Sequence, residues 1–212
     1  MFITFEGLDF SGKSTQAATL VEKLKKTDTP IHFLREPGGT EISERIRDVL
    51  LDKKHFEMTE AAELFLFSAA RSQLLKEVIV PALQRGEIVV CDRYYDSTTA
   101  YQGYGRGIDL DVVKSINRLA TFGTDPDITF FIDIPVEEIE RRKKKAGMSF
   151  DRMEDSGKTF YERVRNGYHE LARSSQRFVT INGMSTVEEV AGRIWHVVEK
   201  KLSVHSVREM RA

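Results

Sequence analysis

Residues 7–14 read Gly7-Leu8-Asp9-Phe10-Ser11-Gly12-Lys13-Ser14, which fits the pattern G-x-x-x-x-G-K-[ST] without a spacing error. The run follows a short apolar segment, residues 2–5, that is typical of a buried strand. It precedes residues 15–26, whose apolar spacing is that of an amphipathic helix. Glycines let the backbone turn tightly so that its N–H groups converge on an anion, and the following helix adds the positive end of its dipole. The segment therefore predicts a phosphate-binding loop and a nucleoside triphosphate as ligand.

The residue types in this loop indicate individual roles. We expect Lys13 to reach the β- and γ-phosphates and the Ser14 hydroxyl to ligate Mg²⁺. The alternative is a glycine turn that joins a strand to a helix and binds no phosphate. This alternative leaves the lysine and the hydroxyl unexplained. The predicted triphosphate-binding residues are Gly7, Leu8, Asp9, Phe10, Ser11, Gly12, Lys13, Ser14 and Thr15.

Length and composition favour one globular domain spanning residues 1–212, with 41% hydrophobic and 31% charged residues. The net charge of −1 gives no strong basic field, so a nucleic-acid polymer is a poor candidate partner and small nucleotides are better ones. The single cysteine, Cys91, ends an apolar run and is interpreted as a core residue. The chain shows no signal-peptide pattern and no apolar run near 18 residues, from which we expect a cytoplasmic protein with no membrane partner.

Apolar runs alternate with helical patterns along the whole chain. The strands are predicted at residues 2–5, 31–34, 88–91, 128–134 and 178–181. The helices are predicted at residues 13–26, 41–51, 59–84, 110–121, 136–145, 159–174 and 187–202. This alternation predicts an α/β fold: a doubly wound, five-stranded parallel sheet with helices on both faces. Residues 203–212 have no clear pattern and are expected to form a loose tail.

Polar clusters follow the predicted strands, where ligands bind in sheets of this kind. Arg35-Glu36-Pro37-Gly38-Gly39-Thr40 follows the second strand, and Arg47 lies on the next helix. Asp92-Arg93-Tyr94 follows the third strand and leads to Ser97, Thr98, Tyr101 and Gln102. Phe67 and Arg71 lie on the long helix between these clusters, and a very basic segment begins at Arg141.

These motifs together resemble those of the bacterial thymidylate kinases, which have the P-loop NTPase fold with a short mobile lid. The resemblance runs from residue 1 to about 202. It rests on the loop with Asp9, Glu36-Pro37-Gly38-Gly39-Thr40, Phe67-Ser68-Ala69-Ala70-Arg71, Asp92-Arg93-Tyr94, Ala100-Tyr101-Gln102-Gly103, Pro126-Asp127 and Asp151-Arg152. It implies transfer of the γ-phosphoryl group of ATP to thymidine 5′-monophosphate, with Mg²⁺ as the required ion.

The resemblance also implies where the acceptor nucleotide binds. Arg47 and Arg93 would hold its phosphate, for which the planar guanidinium fork is suited. Phe67 would stack on thymine, and Arg71 would donate a hydrogen bond to an oxygen of the base. The full set expected at the acceptor is Asp9, Glu36, Arg47, Phe67, Arg71, Arg93, Ser97, Thr98, Tyr101 and Gln102. Asp92, at the end of the third strand, is placed for an outer role at Mg²⁺ beside Ser14.

Phe10 departs from the family pattern, because the bacterial relatives usually have glycine at this place and the eukaryotic type has an arginine that assists catalysis. A bulky side chain is tolerable at this place if φ stays negative and the ring is directed away from the phosphates. A catalytic arginine must then come from elsewhere, and the basic lid, residues 141–154, offers Arg152 and Arg142, then Arg141. The predicted catalytic residues are Lys13, Arg93, Asp9, Arg142 and Arg152. A solvated helix end is the alternative for the basic run.

Two further expectations follow from the resemblance. The Glu36–Pro37 peptide bond is expected to be cis, since an X-Pro bond permits this at low cost. The chain is also expected to form a homodimer, for which the apolar helix over residues 61–75 could supply a face.

Three other functions compete with this interpretation. A kinase for another nucleoside monophosphate, such as dUMP, shares the loop and the lid. A GTPase-like switch would need a guanine-specifying N-K-x-D motif, which the sequence lacks. A nucleotide-binding module without catalysis would leave the acceptor-side arginines unexplained.

Overall fold

A computed structural model describes residues 1–27, 29–146 and 157–209. The five strands are β1 Phe2–Glu6, β2 Ile31–Arg35, β3 Ile88–Asp92, β4 Ile128–Asp133 and β5 Phe178–Asn182. The first α-helices are α1 Lys13–Leu24, α2 Glu41–Leu51, α3 Glu60–Leu74, α4 Val80–Gln84 and α5 Tyr95–Thr98. The others are α6 Leu110–Thr121, α7 Val136–Ala146, α8 Lys158–Ser174 and α9 Val187–Glu209. A 3₁₀ turn covers Lys53–His55, and π-helical segments cover Leu75–Ile79 and Thr99–Gly105.

The strands form one parallel sheet in the order β2-β3-β1-β4-β5. This confirms the predicted fold class, and each strand ends within one residue of its predicted bounds. Central β1 lies between β3 and β4, so the loops that follow these three strands meet at one edge of the sheet. The phosphate-binding loop follows β1, and the Asp92-Arg93-Tyr94 motif follows β3.

Helices cover both faces of the sheet, as predicted. On one face, α1 and α9 pack on a core that includes Phe5, Val90 and Phe130. On the other face, the helices from α3 to α4 cover the β3 side, and α7 and α8 cover the β4 side. Cys91 is fully buried in this second face, as the sequence indicates.

Two helical predictions need correction. The helix predicted at residues 59–84 is helical throughout but changes from α to π over Leu75–Ile79, just before Pro81, which cannot donate a backbone hydrogen bond. The predicted loose tail is wrong for residues 203–209, because α9 continues to Glu209. The predicted lid begins within α7, and residues 147–154, which include Arg152, lie outside the described residues.

The sequence analysis missed the helical segment over residues 95–105, which comprises α5 and the second π segment. Its sequence has threonines and two glycines and no apolar period, so nothing local predicts a helix. The segment is held by tertiary packing, above all against α8. It carries Ser97, Thr98, Tyr101 and Gln102 and therefore forms a wall of the site.

A buried ion pair fixes the start of this segment. The guanidinium of Arg177, just before β5, donates to both carboxylate oxygens of Asp96 at 2.7 Å. The same guanidinium donates to the Tyr95 hydroxyl at 2.8 Å. Asp96 is fully buried, and burial raises its pKa, so the pairing with Arg177 is what makes the charge tolerable.

Replacing Arg177 by alanine would leave the Asp96 carboxylate buried without its partner. We expect Arg177→Ala to lower the free energy of unfolding by about 3–5 kcal/mol, measured by urea denaturation. The matched control is Arg173→Ala, which removes an exposed pair with Glu170 and should cost at most about 1 kcal/mol. Equal losses in the two variants would show that the Asp96 pair does not hold this segment.

Candidate active site

The phosphate-binding loop gets its shape from two glycines in conformations that other residues rarely adopt. Gly7 has a φ of 142°, and a Cβ there would lie 2.6 Å from the carbonyl oxygen of Ile132. Gly12 has a φ of 94° and directly precedes α1. The side chains of Leu8 and Ser11 are buried, so these two predicted residues contribute backbone and packing to the loop.

Lys13, the first residue of α1, lies inside the loop. Its ammonium group donates to the carbonyl oxygen of Leu8 at 3.5 Å and lies 3.9 Å from the carboxylate of Asp9. Burial lowers the pKa of Lys13, and repulsion from Arg93 lowers it further, while nearby carboxylates oppose the change. A phosphate group would supply the negative charge that this buried cation lacks.

Ser14 and Asp92, the two residues predicted to lie at Mg²⁺, meet at the end of β3. The Ser14 hydroxyl donates a short hydrogen bond to one oxygen of Asp92. The other oxygen, Oδ1, is buried and has no hydrogen-bond partner among the residues that the structure describes. A hydroxyl and an unsatisfied carboxylate oxygen form a donor set that suits a hard cation such as Mg²⁺.

Phe10 does not meet the condition of a negative φ. Its φ is 61°, in the left-handed region, because the tip of the loop requires a turn that glycine makes more easily. The ring packs against an apolar cluster that includes Val136 and Ile139 of α7 and Phe160 of α8. This contact offsets a backbone cost of roughly 1–2 kcal/mol.

A buried ion pair between Asp9 and Arg93 joins the phosphate-binding loop to the motif after β3. The two side chains are joined by a short charge-assisted hydrogen bond. The hydroxyls of Tyr101 and Tyr161 also donate to Asp9, at 3.0 and 3.4 Å. Burial alone would raise the pKa of Asp9, but the charges of Arg93 and Lys13 outweigh it and lower the pKa.

Arg93 reaches this position through an unusual backbone conformation. Its φ is 73°, and its backbone N–H donates to the carbonyl oxygen of Phe5 on β1 at 2.9 Å. The turn brings the guanidinium beneath the loop, where it donates to the Gly7 carbonyl oxygen at 3.0 Å. It also donates to the hydroxyls of Ser97 at 3.1 Å and Tyr101 at 3.3 Å.

Glu36 and Arg71 form a second buried ion pair on the opposite wall, with a nitrogen–oxygen distance of 2.7 Å. Arg71 also donates to the Thr98 hydroxyl at 2.9 Å and to the Tyr94 carbonyl oxygen at 3.2 Å. Burial raises the pKa of Glu36 to about 7, although Arg71 opposes the shift. The Glu36–Pro37 peptide bond is cis, which confirms that prediction.

A cavity of about 670 Å³ lies between these two walls. Arg47 of α2 enters it beside Pro37, to whose carbonyl oxygen it donates at 2.8 Å. Phe67 lines the cavity from α3, and Gln102 lines it from the π segment, where it donates to Glu63 at 2.9 Å.

The fold brings most of the predicted site residues to this cavity. On the loop side they are Asp9, Phe10, Gly12, Lys13, Ser14 and Thr15. On the opposite side they are Glu36, Arg47, Phe67, Arg71, Ser97, Thr98, Tyr101 and Gln102. Asp92, Arg93 and Arg142 also line the cavity.

Arg142 lines the cavity from α7 and holds the outside of the loop. It donates to the carbonyl oxygens of Phe10 at 3.2 Å and Ser11 at 3.1 Å. It also donates to Gly183 after β5 at 2.8 Å and to Glu138 at 2.8 Å. Arg141 instead pairs with Glu138 and is largely exposed.

Sequence reasoning missed three residues around Arg93. Glu6 is a fully buried carboxylate at the end of β1, and Tyr161 and Tyr168 approach from α8. The signals were present. Glu6 is the one charged residue in an otherwise uncharged strand, and the two tyrosines are seven residues apart, which places them on one helix face.

The arrangement has the parts that phosphoryl transfer needs. A loop of backbone N–H groups with Lys13 faces one end of the cavity, and arginines that can bind a second phosphate lie at its middle. Phe67, Ser97, Thr98 and Gln102 add a mixed aromatic and polar wall to the cavity. This combination of features suits a kinase whose acceptor is itself a phosphorylated small molecule.

Comparison with known proteins agrees with this geometry. The family model described as "Thymidylate kinase" matches residues 5–194. The chain is 47% identical to a thymidylate kinase of Chlorobium phaeobacteroides over 210 residues, which covers 95% of each chain. It is 47% identical to that of Chlorobaculum parvum over 203 residues, covering 92% of this chain and 93% of the relative. A crystal structure of thymidylate kinase from Ehrlichia chaffeensis superposes with a TM-score of 0.77 at 35% identity, covering 94% of this chain and 98% of that one.

Proposed function

The chain belongs to the thymidylate kinase family, and from this premise we propose how its residues divide the work between the two nucleotides. The chain transfers a phosphoryl group from ATP to thymidine 5′-monophosphate. The observation that carries the assignment of residues is the cavity, which joins a triphosphate loop to a separate wall of arginines and Phe67. A kinase for another monophosphate is not favoured by the comparisons.

In the proposed donor site, the loop from Gly7 to Thr15 holds the phosphates of ATP through its backbone N–H groups. Lys13 is buried and close to Asp9, so its position is fixed before ATP binds. Its charge then lies where negative charge moves as the bond between the β- and γ-phosphates breaks.

In the proposed acceptor site, Arg47 and Arg93 bind the monophosphate and turn one of its oxygens toward the γ-phosphorus. Asp9 restrains Arg93 from the side of the loop. The new bond forms between that oxygen and the γ-phosphorus, and ADP leaves. Holding the two reactants in line supplies most of the catalysis in reactions of this type.

We assign the thymine base to the wall formed by Phe67 and Arg71. Phe67 offers an aromatic face, and the Arg71 guanidinium is fixed by Glu36 and Thr98 so that an edge can face an oxygen of the base. Ser97, Tyr101 and Gln102 line the path between the base and the phosphate.

Ser14 and Asp92 are the residues that we propose for Mg²⁺, on the basis of the unsatisfied Asp92 oxygen. When bound, the ion would neutralise charge on the phosphates of ATP. Of the two lid arginines proposed to be catalytic, Arg142 lies at the loop and Arg152 lies outside the described residues. We retain both as donors of positive charge to the transferring group.

The reaction itself is tested by an ADP-release assay with ATP, Mg²⁺ and one monophosphate at a time. We expect strong turnover with dTMP and kcat/KM lower by about 10–200-fold with dUMP, because a pocket for one methyl group contributes roughly 1–3 kcal/mol. Purine monophosphates should give negligible turnover. Equal rates with dTMP and dGMP would contradict the assignment of the base to the Phe67 and Arg71 wall.

The metal assignment is tested by Asp92→Asn. We expect the Mg²⁺ concentration for half-maximal activity to rise by about 10–100-fold, with the KM for dTMP changed less than about twofold. The matched control is Asp133→Asn, at the end of β4 in the same sheet, where the carboxylate pairs with Arg165 outside the cavity. An unchanged Mg²⁺ requirement in Asp92→Asn would remove Asp92 from the site.

We also propose a homodimer formed by α2, α3 and α6. These helices pack side by side, and they expose large apolar side chains. The side chain of Phe65 on α3 is 59% exposed and that of Leu119 on α6 is 74% exposed, with Ile42, Val49 and Val112 nearby in the same helices. A patch of this kind is typical of an interface between copies of one chain.

The dimer is tested by sedimentation velocity of Phe65→Glu and Leu119→Glu. We expect each variant to sediment as a monomer under conditions where the unaltered chain is dimeric, because a charge would be buried at the interface. Val187→Glu is the control, since Val187 is similarly exposed on α9, which packs with α1 on the other face of the sheet. A monomeric unaltered chain would contradict the proposal.

The remaining expectations concern the cellular location of the chain and its binding partners. No helix in the described part of the chain has the length and apolar character needed to cross a membrane. We propose that residues 1–212 act as one kinase unit in the cytoplasm, where ATP is consumed, with nucleotides rather than nucleic-acid polymers as partners.

A further inference from the structure

Glu6 is a buried carboxylate for which the reaction described above has no use. It is the last residue of β1, has no exposed surface, and directly precedes Gly7 of the loop. A charged group in the core of a sheet is costly unless it is hydrogen-bonded, so its partners indicate what it is for.

Three donors converge on this carboxylate. The backbone N–H of Tyr94 donates to Oε1 at 2.8 Å. The hydroxyls of Ser97 and Tyr168 donate to Oε2 at 2.6 and 2.9 Å. The donors come from the segment after β3 and from α8, so Glu6 joins three parts of the fold.

The same two hydroxyls link Glu6 to Arg93. The Nη1 of Arg93 donates to the oxygen of Ser97 at 3.1 Å and to that of Tyr168 at 3.4 Å. A hydroxyl has one proton to donate and lone pairs that accept. When both protons point to Glu6, both oxygens present lone pairs to Arg93, so the carboxylate sets the direction of the network.

The hydrogen bond between the Tyr94 backbone N–H and Glu6 also affects Arg93, the preceding residue. Arg93 has a φ of 73°, a conformation that costs a side-chain-bearing residue roughly 1–2 kcal/mol. The next peptide N–H, that of Tyr94, is the group held by Glu6 Oε1. Glu6 therefore restrains both the strained turn and the guanidinium that the turn positions.

We propose that Glu6 is a positioning residue of the acceptor site, which keeps Arg93 aligned with the monophosphate through Ser97, Tyr168 and the Tyr94 amide. The proposal rests on the phosphate-binding role proposed for Arg93. Asp9 holds the guanidinium from the loop side, and Glu6 holds it from the side of the core. Loss of Glu6 leaves the charge of Arg93 in place but lets the orientation of the guanidinium group vary.

The ionisation of Glu6 adds a pH dependence to this role. Burial, and then the charge of Asp96, raise the pKa of Glu6 to about 7, while its hydrogen bonds and Arg93 oppose the shift. A proton on Oε2 would have to be donated to Ser97 or Tyr168, which reverses one hydrogen bond of the network. The charged and titratable groups that act on this site are Arg93, Asp96, Lys13, Cys91, Tyr94 and Tyr168. Alignment should be lost as the pH falls below about 7.

The test is Glu6→Gln, which keeps the shape of the side chain and removes its charge. We expect kcat/KM for dTMP to fall by about 10–100-fold, since small misplacements of a positioning group have effects of this size. The KM for ATP should change less than about twofold, because the contacts of Lys13 and the loop remain.

A pH profile separates positioning from a purely structural role. The second ionisation of the dTMP phosphate, near pH 6, affects every form of the enzyme. The unaltered chain should show a further loss of kcat/KM below about pH 7 that is absent from Glu6→Gln. Identical profiles for the two proteins would overturn the pH dependence.

A second variant keeps the test independent of the folding of Glu6→Gln. Tyr168→Phe removes one hydroxyl of the bridge and should also reduce kcat/KM for dTMP. If both residues act through one network, the double variant should lose less than the product of the two single losses. Multiplicative losses would mean that Glu6 does not act through this bridge.

Thr4→Val is the matched control. Thr4 is a buried polar residue on the same strand, and its hydroxyl is hydrogen-bonded to Thr129 at 2.8 Å, outside the cavity lining. It should lower the melting temperature without changing the KM for dTMP. A Glu6→Gln enzyme with unaltered dTMP kinetics, whatever its melting temperature, overturns the proposal. Failure of the function itself would be seen separately, as a lack of dTMP turnover in the unaltered chain.

Discussion

The ion pair between Asp9 and Arg93 is the interaction on which the site depends. Its two residues follow neighbouring strands, since Phe5 of β1 lies beside Asp92 of β3 in the sheet. The pair joins the loop proposed to bind ATP to the segment proposed to bind the acceptor, so a contact inside the protein would set the spacing of the two substrates. A buried pair of this kind is costly to break because either partner alone would be an uncompensated charge. It therefore fixes the geometry before either nucleotide arrives.

The pair between Glu36 and Arg71 has a different role. Arg71 uses all three of its nitrogens on protein oxygens, whereas Glu36 has one buried oxygen without a hydrogen-bond partner in the described part of the chain. The charged form of Glu36 is therefore destabilised, and burial raises the pKa of this carboxyl group. A wall with an incompletely satisfied polar group favours a ligand that brings a donor or releases the arginine. The unsatisfied oxygen of Glu36 therefore makes this wall a place where a bound ligand can supply a missing donor.

Most of the fold and of the candidate site could be predicted from the sequence, because both depend on strong local signals. Continuous apolar runs gave strand positions to within one residue, and parallel strands place their following residues at one edge. What escaped prediction depends on tertiary contacts. The helical segment after β3 forms because α8 packs on it, and the left-handed Phe10 persists because its ring is held by α7 and α8. Glu6 was overlooked because a single charge in a strand does not show which hydroxyls will surround it.

Phe10 shows how tertiary contacts can hold the phosphate-binding loop in a conformation that its sequence alone does not favour. A glycine at the loop tip would turn freely, whereas phenylalanine in the same conformation requires packing to stay there. The ammonium group of Lys143 on α7 lies 5.8 Å from the centre of the Phe10 ring, and Arg142 of that helix donates to the carbonyl oxygens of Phe10 and Ser11. The tip is therefore tied to α7 twice, by a cation–π contact and by charge-assisted hydrogen bonds. Because Arg142 belongs to α7, a displacement of that helix would act directly on the carbonyl groups at the tip of the phosphate-binding loop. The position of α7 and the conformation of this loop are therefore coupled through these hydrogen bonds.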